Sequence, residues 1–575
     1  GIHCSDNKEL LDTILRKEWG FDGMVVTDWG AMNDRIEGFR AGCDLNMPGG
    51  SEYMEKAAVR AVKDGSLPEK NIDESVRRIL KLVFRANEVL KSDHSCDYAK
   101  HNEIARKAAE QGAVLLKNED GILPLSHTQR LAVVGSMAKS IRYQGAGSSH
   151  INPKYLSQPL DYIKDAEFAM GCDEHGDTDD AMIDKAVKVA ENADTVIVFA
   201  GLPDRFESEG FDRDNMKLPQ GHIRMIEEVA RANKNTIVVL LTGCVVECDW
   251  ADSVKAILYM GLPGQAGGQA IANLLYGESN PCGKLAETWW SSYEDVPSSK
   301  IYGKTKDAVY EEGIYIGYRY CEKAGKKVRF PFGYGLSYTS FSYSGLEVKD
   351  NVVNVKVTNT GNMTGAEIVQ LYVAAPMNGI HRPLRELKGF NKVWLKPGES
   401  ADVSFELSER SFAIWDDGWK IQEGAYKVCV GGLMAQIHVN GTNIPVKDWQ
   451  SNSFYESCKG KPERHEWEAM SGIAYTPEKL IKGQFTMDNS VEEMSDFSLI
   501  MKIMYKAVEK TIAKGFDGKA DYENPDFRMM MASSAGSPLR SMQISGGMKG
   551  GIMSGLLDMA NGHFFRGIGR MIKGE

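Results

Sequence analysis

Four short runs of apolar, mostly β-branched residues do most to limit what this chain can fold into: 131–135 (Leu-Ala-Val-Val-Gly), 195–201, 237–241 and 254–259. A run with no polar residue facing out on alternate positions needs cover on both faces, which is the situation of a parallel strand between two layers of helix. Helical stretches separate these runs and supply both the crossovers and the cover. The expectation for residues 104–300 is therefore an open α/β sandwich, entered through a helix from about 104 and the run Val114-Leu115-Leu116-Lys117.

A similar rhythm fills residues 1–95. Apolar spacing at Leu10, Leu11, Ile14 and Leu15 predicts a helix over 8–19, and the turn Gly20-Phe21-Asp22-Gly23 ends it. Met24-Val25-Val26-Thr27-Asp28-Trp29 then reads as a buried strand whose carboxyl end turns polar. A helix at 35–41, a strand-like stretch at 44–48 and helices over 53–64 and 72–92 complete a βαβα series. From about 341 to 440 the period becomes two, as in Val353-Asn354-Val355-Lys356-Val357, with turn signals at Asn359-Thr360-Gly361 and Lys396-Pro397-Gly398. That pattern predicts an all-β sandwich. A Gly-, Tyr- and Phe-rich linker over 301–340 joins the two, and an acidic, Met-rich extension over 450–575 carries no chemical motif.

With 575 residues, 42% apolar and 26% charged, the chain has enough apolar material for several cores. A formal charge of -11 without a long basic run argues against nucleic acid as a partner, and no apolar window reaches the length of a membrane span. Ten scattered cysteines, with no CxxC pair and no zinc-like Cys/His spacing, predict neither a metal site nor a disulfide framework; they point to a reducing, cytoplasmic compartment, with Cys244 and Cys248 read as small buried thiols. The opening Gly1-Ile2-His3-Cys4, directly before a helix, reads as an internal fragment and not as a natural start or a signal peptide.

Two carboxyls stand out chemically. Asp28 lies at the carboxyl end of its strand, where parallel α/β enzymes build their sites, although a helix-capping Asp is the plainer reading. Trp29 beside it offers a flat face to the C–H side of a sugar ring, against the commoner role of core filler. Glu209 lies in the loop Phe206-Glu207-Ser208-Glu209-Gly210-Phe211-Asp212-Arg213, where a solvated acidic surface is the plainer reading. The chemical reading has Phe206 and Phe211 partly desolvate the carboxyl and raise its pKa. One ionised and one protonated carboxyl are what glycoside hydrolysis requires, roughly 5 Å apart when the anomeric configuration is retained. The Gly-rich loop Tyr143-Gln144-Gly145-Ala146-Gly147-Ser148-Ser149-His150 raises a nucleotide-binding alternative, but it lacks the third glycine and a following helix, so a site-lining or turn role is expected.

These residues are arranged as in glycoside hydrolase family three. Val25-Val26-Thr27-Asp28-Trp29-Gly30-Ala31 resembles the family's nucleophile motif, and Glu207-Ser208-Glu209-Gly210-Phe211-Asp212-Arg213 its acid/base loop. Ala113 to Asn118, Leu123-Pro124-Leu125, Asn280 to Leu285 and Phe330 to Tyr338 follow the family's order. Over residues 1–440 the resemblance implies the last part of a (β/α)8 barrel, an α/β sandwich and a fibronectin type III-like domain. It implies a retaining exo-acting β-glucosidase with Asp28 as nucleophile, Glu209 as acid/base, Glu207 as the fallback, Trp29 as sugar wall and Arg35 as a polar substrate contact. The substrate would be an oligosaccharide or an aryl or alkyl β-glucoside, and no cofactor is implied, since two carboxylates and water complete the cycle. β-Xylosidase or α-arabinofuranosidase activity on the same fold, a non-catalytic carbohydrate-binding remnant, and assembly as a homo-oligomer stay open. Only about two barrel strands precede residue 95, so the chain is expected to be inactive until the rest of the barrel is supplied.

Overall fold

The computed structural model describes the chain except residues 1, 50, 94, 305, 306, 478, 546–549, 574 and 575, and describes Ser545 and Gly550 by backbone alone. It forms two compact units, Gly1–Cys96 with Glu478–Glu575, and Asp97–Pro477.

The second unit is built on a six-stranded sheet: β1 (Val114–Asn118), β2 (Leu131–Val134), β3 (Glu167–Ala169), β4 (Thr195–Gly201), β5 (Thr236–Leu241) and β6 (Ala256–Tyr259), in the order β1-β6-β5-β4-β2-β3. β2 to β6 pair in parallel, and β1 closes the edge antiparallel to β6. The continuous apolar runs pay off on two faces. Val196, Val198, Val238 and Leu240 point to one layer, with Ile183 and Ala186 of helix Asp180–Glu191 and Met225 and Val229 of helix Gln220–Ala232. Ile197, Phe199, Ile237 and Val239 point to the other, against Ile271, Leu274 and Leu275 of helix Gly267–Leu275. Each such side chain contributes about 1.5–3 kcal/mol on burial, so this double layer is the stable platform of the unit. Gly201 ends β4 against β5, where a Cβ would lie 2.0 Å from the Leu241 carbonyl oxygen. Only glycine lets the chain leave the sheet there, and the acidic loop begins three residues later.

Downstream, strands Phe341–Lys349, Val352–Asn359 and Ser400–Glu406 form one antiparallel sheet, and Gly365–Ala374, Glu386–Leu395, Gly424–Val430 and Leu433–Val439 another. Val353, Val355 and Val357 meet Val369, Leu371 and Val373 between them, as the period of two predicts. Residues Phe454, Tyr455 and Cys458 pack with Trp290, Tyr315 and Tyr320 in this same unit.

In the first unit, helix Glu9–Glu18 is π-wound, and helix Arg35–Ala41 is capped by Asp34, whose carboxylate accepts from the Ile36 and Glu37 amides at 2.8 and 3.2 Å. The two expected strands are extended but share a single parallel bridge, Val26 to Leu45. Among the described residues neither has a second strand beside it, so no ladder develops and Val26 is 47% exposed. The carboxyl-terminal helices, including Val491–Ser495, Leu499–Ala513, Pro525–Ser534 and Leu539–Ser545, have their own core of Phe485, Val491, Met494, Met501, Leu539 and Met553. Ile544 extends beyond it into the cluster of Leu11, Met32, Ala41, Cys43 and Met54.

Candidate active site

A buried charge cluster positions the Asp28 loop. The fully buried Asp44 carboxylate receives Arg16 and Arg78, each at 2.9 Å, and the Val25 amide at 2.9 Å, which pins one extended segment to the next. The Thr27 amide donates to the Leu45 carbonyl at 3.0 Å, the Thr27 hydroxyl accepts from the Met47 amide at 2.9 Å, and the Gly30 amide donates to the Met47 carbonyl at 2.9 Å. Thr27 is thus buried while Asp28 and Trp29 project to the surface. The Trp29 amide donates to Asp28 Oδ1 at 2.6 Å, fixing one carboxylate oxygen. Trp29 is 69% exposed, which leaves its indole available as a wall.

Arg35 is held internally. It donates to the Cys43 and Asp44 carbonyls at 3.0 and 2.8 Å and lies 3.6 Å over the Phe39 ring, and burial lowers its pKa. In this arrangement it braces the segment that carries Asp44.

In the second unit Glu209 is exposed on the loop after β4. Its Oε2 accepts from the Ser148 amide at 2.7 Å and from the Ser148 hydroxyl, and these two donors hold its pKa below the usual carboxylate range. This corrects the expectation of a desolvated, raised carboxyl. Phe206 packs against the core of the α/β sandwich and does not cover Glu209. The Gly-rich loop therefore lines the site through Ser148, 61 residues away, and no helix follows it directly.

Glu207 is committed elsewhere. Its carboxylate accepts from the Gly243 amide at 2.9 Å and the Cys244 thiol at 2.8 Å, while its carbonyl accepts from the buried Arg142 at 2.8 Å. Burial and the Glu207 charge push the half-buried Cys244 thiol up to about 12, so it stays a thiol; Cys248 is buried as expected. The carboxyl beside this loop that is pushed upward is Glu287, by desolvation and by Glu207. It lines a cavity of about 720 Å³ with Arg213, Cys244, Trp290, Tyr302 and Tyr318. Tyr302 also donates to Asp212 at 3.0 Å.

Asp44, Ser148 and Glu287 were not singled out from sequence. The available signal for Asp44 was a lone acid inside an apolar stretch. Ser148 lay in the Gly-rich loop expected to line a site or form a turn, but its partner Glu209 is 61 residues away and was not indicated; Glu287 gave no signal, because its partners are distant in sequence. Among the described residues no group of three or more His, Cys, Asp or Glu is placed to hold a metal ion, and no helix is long and apolar enough to cross a membrane.

Fold and site together define a multidomain chain that exposes Asp28 in its first unit and, in its second, exposes Glu209 on the loop after β4 and carries a β-sandwich. Comparison with known proteins gives this class its family. Residues 1–82 match the family described as glycosyl hydrolase family 3 N terminal domain, 113–338 its C-terminal domain, and 367–433 the fibronectin type III-like domain. Thermostable beta-glucosidase B of Acetivibrio thermocellus is 43% identical over 482 residues, 79% of this chain and 64% of that protein. An exo-alpha-(1->6)-L-arabinopyranosidase of Bifidobacterium breve is 39% identical over 490 residues, 80% of this chain and 64% of its own length. The crystal structure of a GH3 beta-glucosidase from Bifidobacterium adolescentis superposes with a TM-score of 0.74 at 39% identity, covering 78% of this chain and 70% of that one. The chain belongs to glycosyl hydrolase family 3. It spans 64% of the length of these curated relatives.

Proposed function

We propose that this protein is a retaining, exo-acting β-glycosidase that removes terminal β-D-glucosyl residues from oligosaccharides or from aryl and alkyl glucosides. The observation that carries the reading is the exposure of Asp28, on a loop fixed by the buried Asp44 cluster, and of Glu209, held by two Ser148 donors, in a chain of this family. In the first step the Asp28 carboxylate attacks the anomeric carbon while Glu209 gives its proton to the departing glycosidic oxygen. In the second, Glu209 takes a proton from water, the water oxygen attacks the same carbon, and Asp28 leaves. Trp29 supplies the apolar wall for the sugar. Arg35 acts behind the site, by holding the segment that carries Asp44. The arabinopyranosidase relative, about as similar as the glucosidases, keeps α-L-arabinopyranosides as the second substrate class.

The test is hydrolysis of 4-nitrophenyl β-D-glucoside and α-L-arabinopyranoside by the chain alone and by the chain fused behind the N-terminal barrel segment of the Acetivibrio relative. Turnover that disappears in Asp28→Ala, and that azide partly restores in Glu209→Ala, is the expected result. No turnover in either form, or turnover insensitive to both changes, overturns the assignment.

A further inference from the structure

We infer that Arg142 is a positioning residue for Glu209: it clamps the Gly-rich loop to the acidic loop and so keeps both Ser148 donors on the carboxylate. The inference rests on the reading of Glu209 as acid/base. All the residues involved lie in the Asp97–Pro477 unit.

Topology brings the two loops together. β2 and β4 pair in parallel, so the chain leaving the carboxyl end of each emerges beside the other. Gly147 then sets the approach. Its φ of 85° lies in the left-handed region that glycine adopts without a Cβ penalty, and the next residue, Ser148, presents its amide and its hydroxyl to one oxygen of Glu209. Those two bonds need a fixed separation between the loops. Ser148 and Glu209 are both exposed, and the backbone bond from the Glu209 amide to the Ala146 carbonyl is long, at 3.4 Å, so the separation has to be set from beneath.

Arg142 sets it. It stands at the start of the Gly-rich loop with a side chain only 6% exposed. One guanidinium nitrogen donates to the Glu207 carbonyl at 2.8 Å, two residues before Glu209, and another pairs with Asp204 at the head of the acidic loop. Glu207 is tied down in turn through its carboxylate, by the Gly243 amide and the Cys244 thiol. The Asp204 carboxylate also faces His150 Nε2 at 3.5 Å, so one acid meets both ends of the Gly-rich loop. A planar guanidinium holds a carbonyl and a carboxylate at once in fixed geometry, which the single nitrogen of a lysine does not. Arg142 acts through this geometry and not through its charge, because the low pKa of Glu209 comes from the two Ser148 bonds, opposed by desolvation.

The experiment titrates the Glu209 carboxyl by ¹³C NMR in the full chain, with Glu209→Gln assigning the resonance, and compares wild type with Arg142→Lys and Asp204→Asn. Charge and geometry predict different outcomes. Lysine keeps the cation, so a purely electrostatic role for Arg142 predicts no movement. Asparagine removes an anion from the neighbourhood of Glu209, so electrostatics alone predicts a lower midpoint. The expected result is a midpoint above that of wild type in both variants, because in both the Ser148 donors are no longer held on the carboxylate. A midpoint that stays or falls in either folded variant overturns the inference. Circular dichroism checks folding, and the partly exposed Asp204 keeps the test open if Arg142→Lys does not fold. Hydrolysis by the fusion described above separates this inference from the reading it rests on. If the midpoint rises while turnover ignores Glu209→Ala, the clamp stands and the acid/base reading falls. If turnover needs Glu209 while the midpoint stays, only the clamp falls.

Discussion

Acidification should destabilise the Asp97–Pro477 unit through a buried histidine that anchors the end of β4. His222 is 1% exposed, its Nδ1 lies 2.9 Å from the Gly201 carbonyl oxygen, and burial lowers its pKa from 6.5 to about 4. A depressed folded-state pKa means that the unfolded chain binds the proton first, so stability is full above pH 6.5 and is lost as pH falls toward 4. At one pKa unit per ~1.4 kcal/mol, the loss from His222 is about 2 kcal/mol at pH 5 and about 3 kcal/mol at pH 4. His381, in the same unit, is also lowered to about 4, by burial and then by Lys323, and roughly doubles the effect. Set against a total of about 5–15 kcal/mol for a typical domain, this is a large fraction. Urea unfolding at pH 7, 6, 5 and 4.5 should be followed by the fluorescence of Trp250 and Trp289, both buried in this unit. The expected slope of stability against pH falls by about 1.2 kcal/mol per pH unit in His222→Gln, which keeps a hydrogen-bonding group but does not titrate. Identical slopes for wild type and variant would refute the reasoning.

The other stability and titration tests concern the supports of the two carboxylates. Asp44→Asn leaves Arg16 and Arg78 facing a neutral group in a buried pocket and should destabilise the first unit by about 3–5 kcal/mol, read as faster amide exchange across helix Arg35–Ala41; unchanged exchange there would show that the cluster does not hold the Asp28 loop. Ser148→Ala removes the hydroxyl donor and leaves the amide, so the Glu209 carboxyl should titrate at higher pH than in wild type by carboxyl ¹³C NMR, with Glu209→Gln assigning the resonance; a midpoint that stays or drops would count against the hydrogen-bond account.

How much of this was legible in the chain differs by element, for physical reasons. The runs at 131–135, 195–201, 237–241 and 254–259 become β2, β4, β5 and β6, because burial on both faces leaves an unmistakable pattern in each strand separately. β3 is three residues long and shows no period, and the antiparallel direction of β1 has no signature in Val114 to Lys117. The two expected strands around Asp28 reduce to one bridge, since a strand needs neighbours that its own sequence does not specify. Asp28 and Glu209 were legible as motif positions. Their surroundings were not: Asp44 meets arginines 28 and 34 residues away, and Glu209 meets Ser148 across 61.

The electrostatics of Glu209 carry one further consequence for the proposed cycle. A group that must donate a proton to the leaving oxygen works best with a pKa near the working pH, whereas the Ser148 donors stabilise its ionised form. Exposure makes that ionised state inexpensive in the free protein, which suits the second step, where Glu209 takes a proton from water. The first step then draws its acid from the complex: a bound glycoside that covers Glu209 strips its water, and desolvation opposes the two Ser148 hydrogen bonds. On this argument the alkaline limb of kcat/KM, which reports the free protein, lies at lower pH than that of kcat, which reports the complex. Ser148→Ala shifts the alkaline limb of kcat/KM to higher pH, because it removes part of what keeps the free carboxyl low.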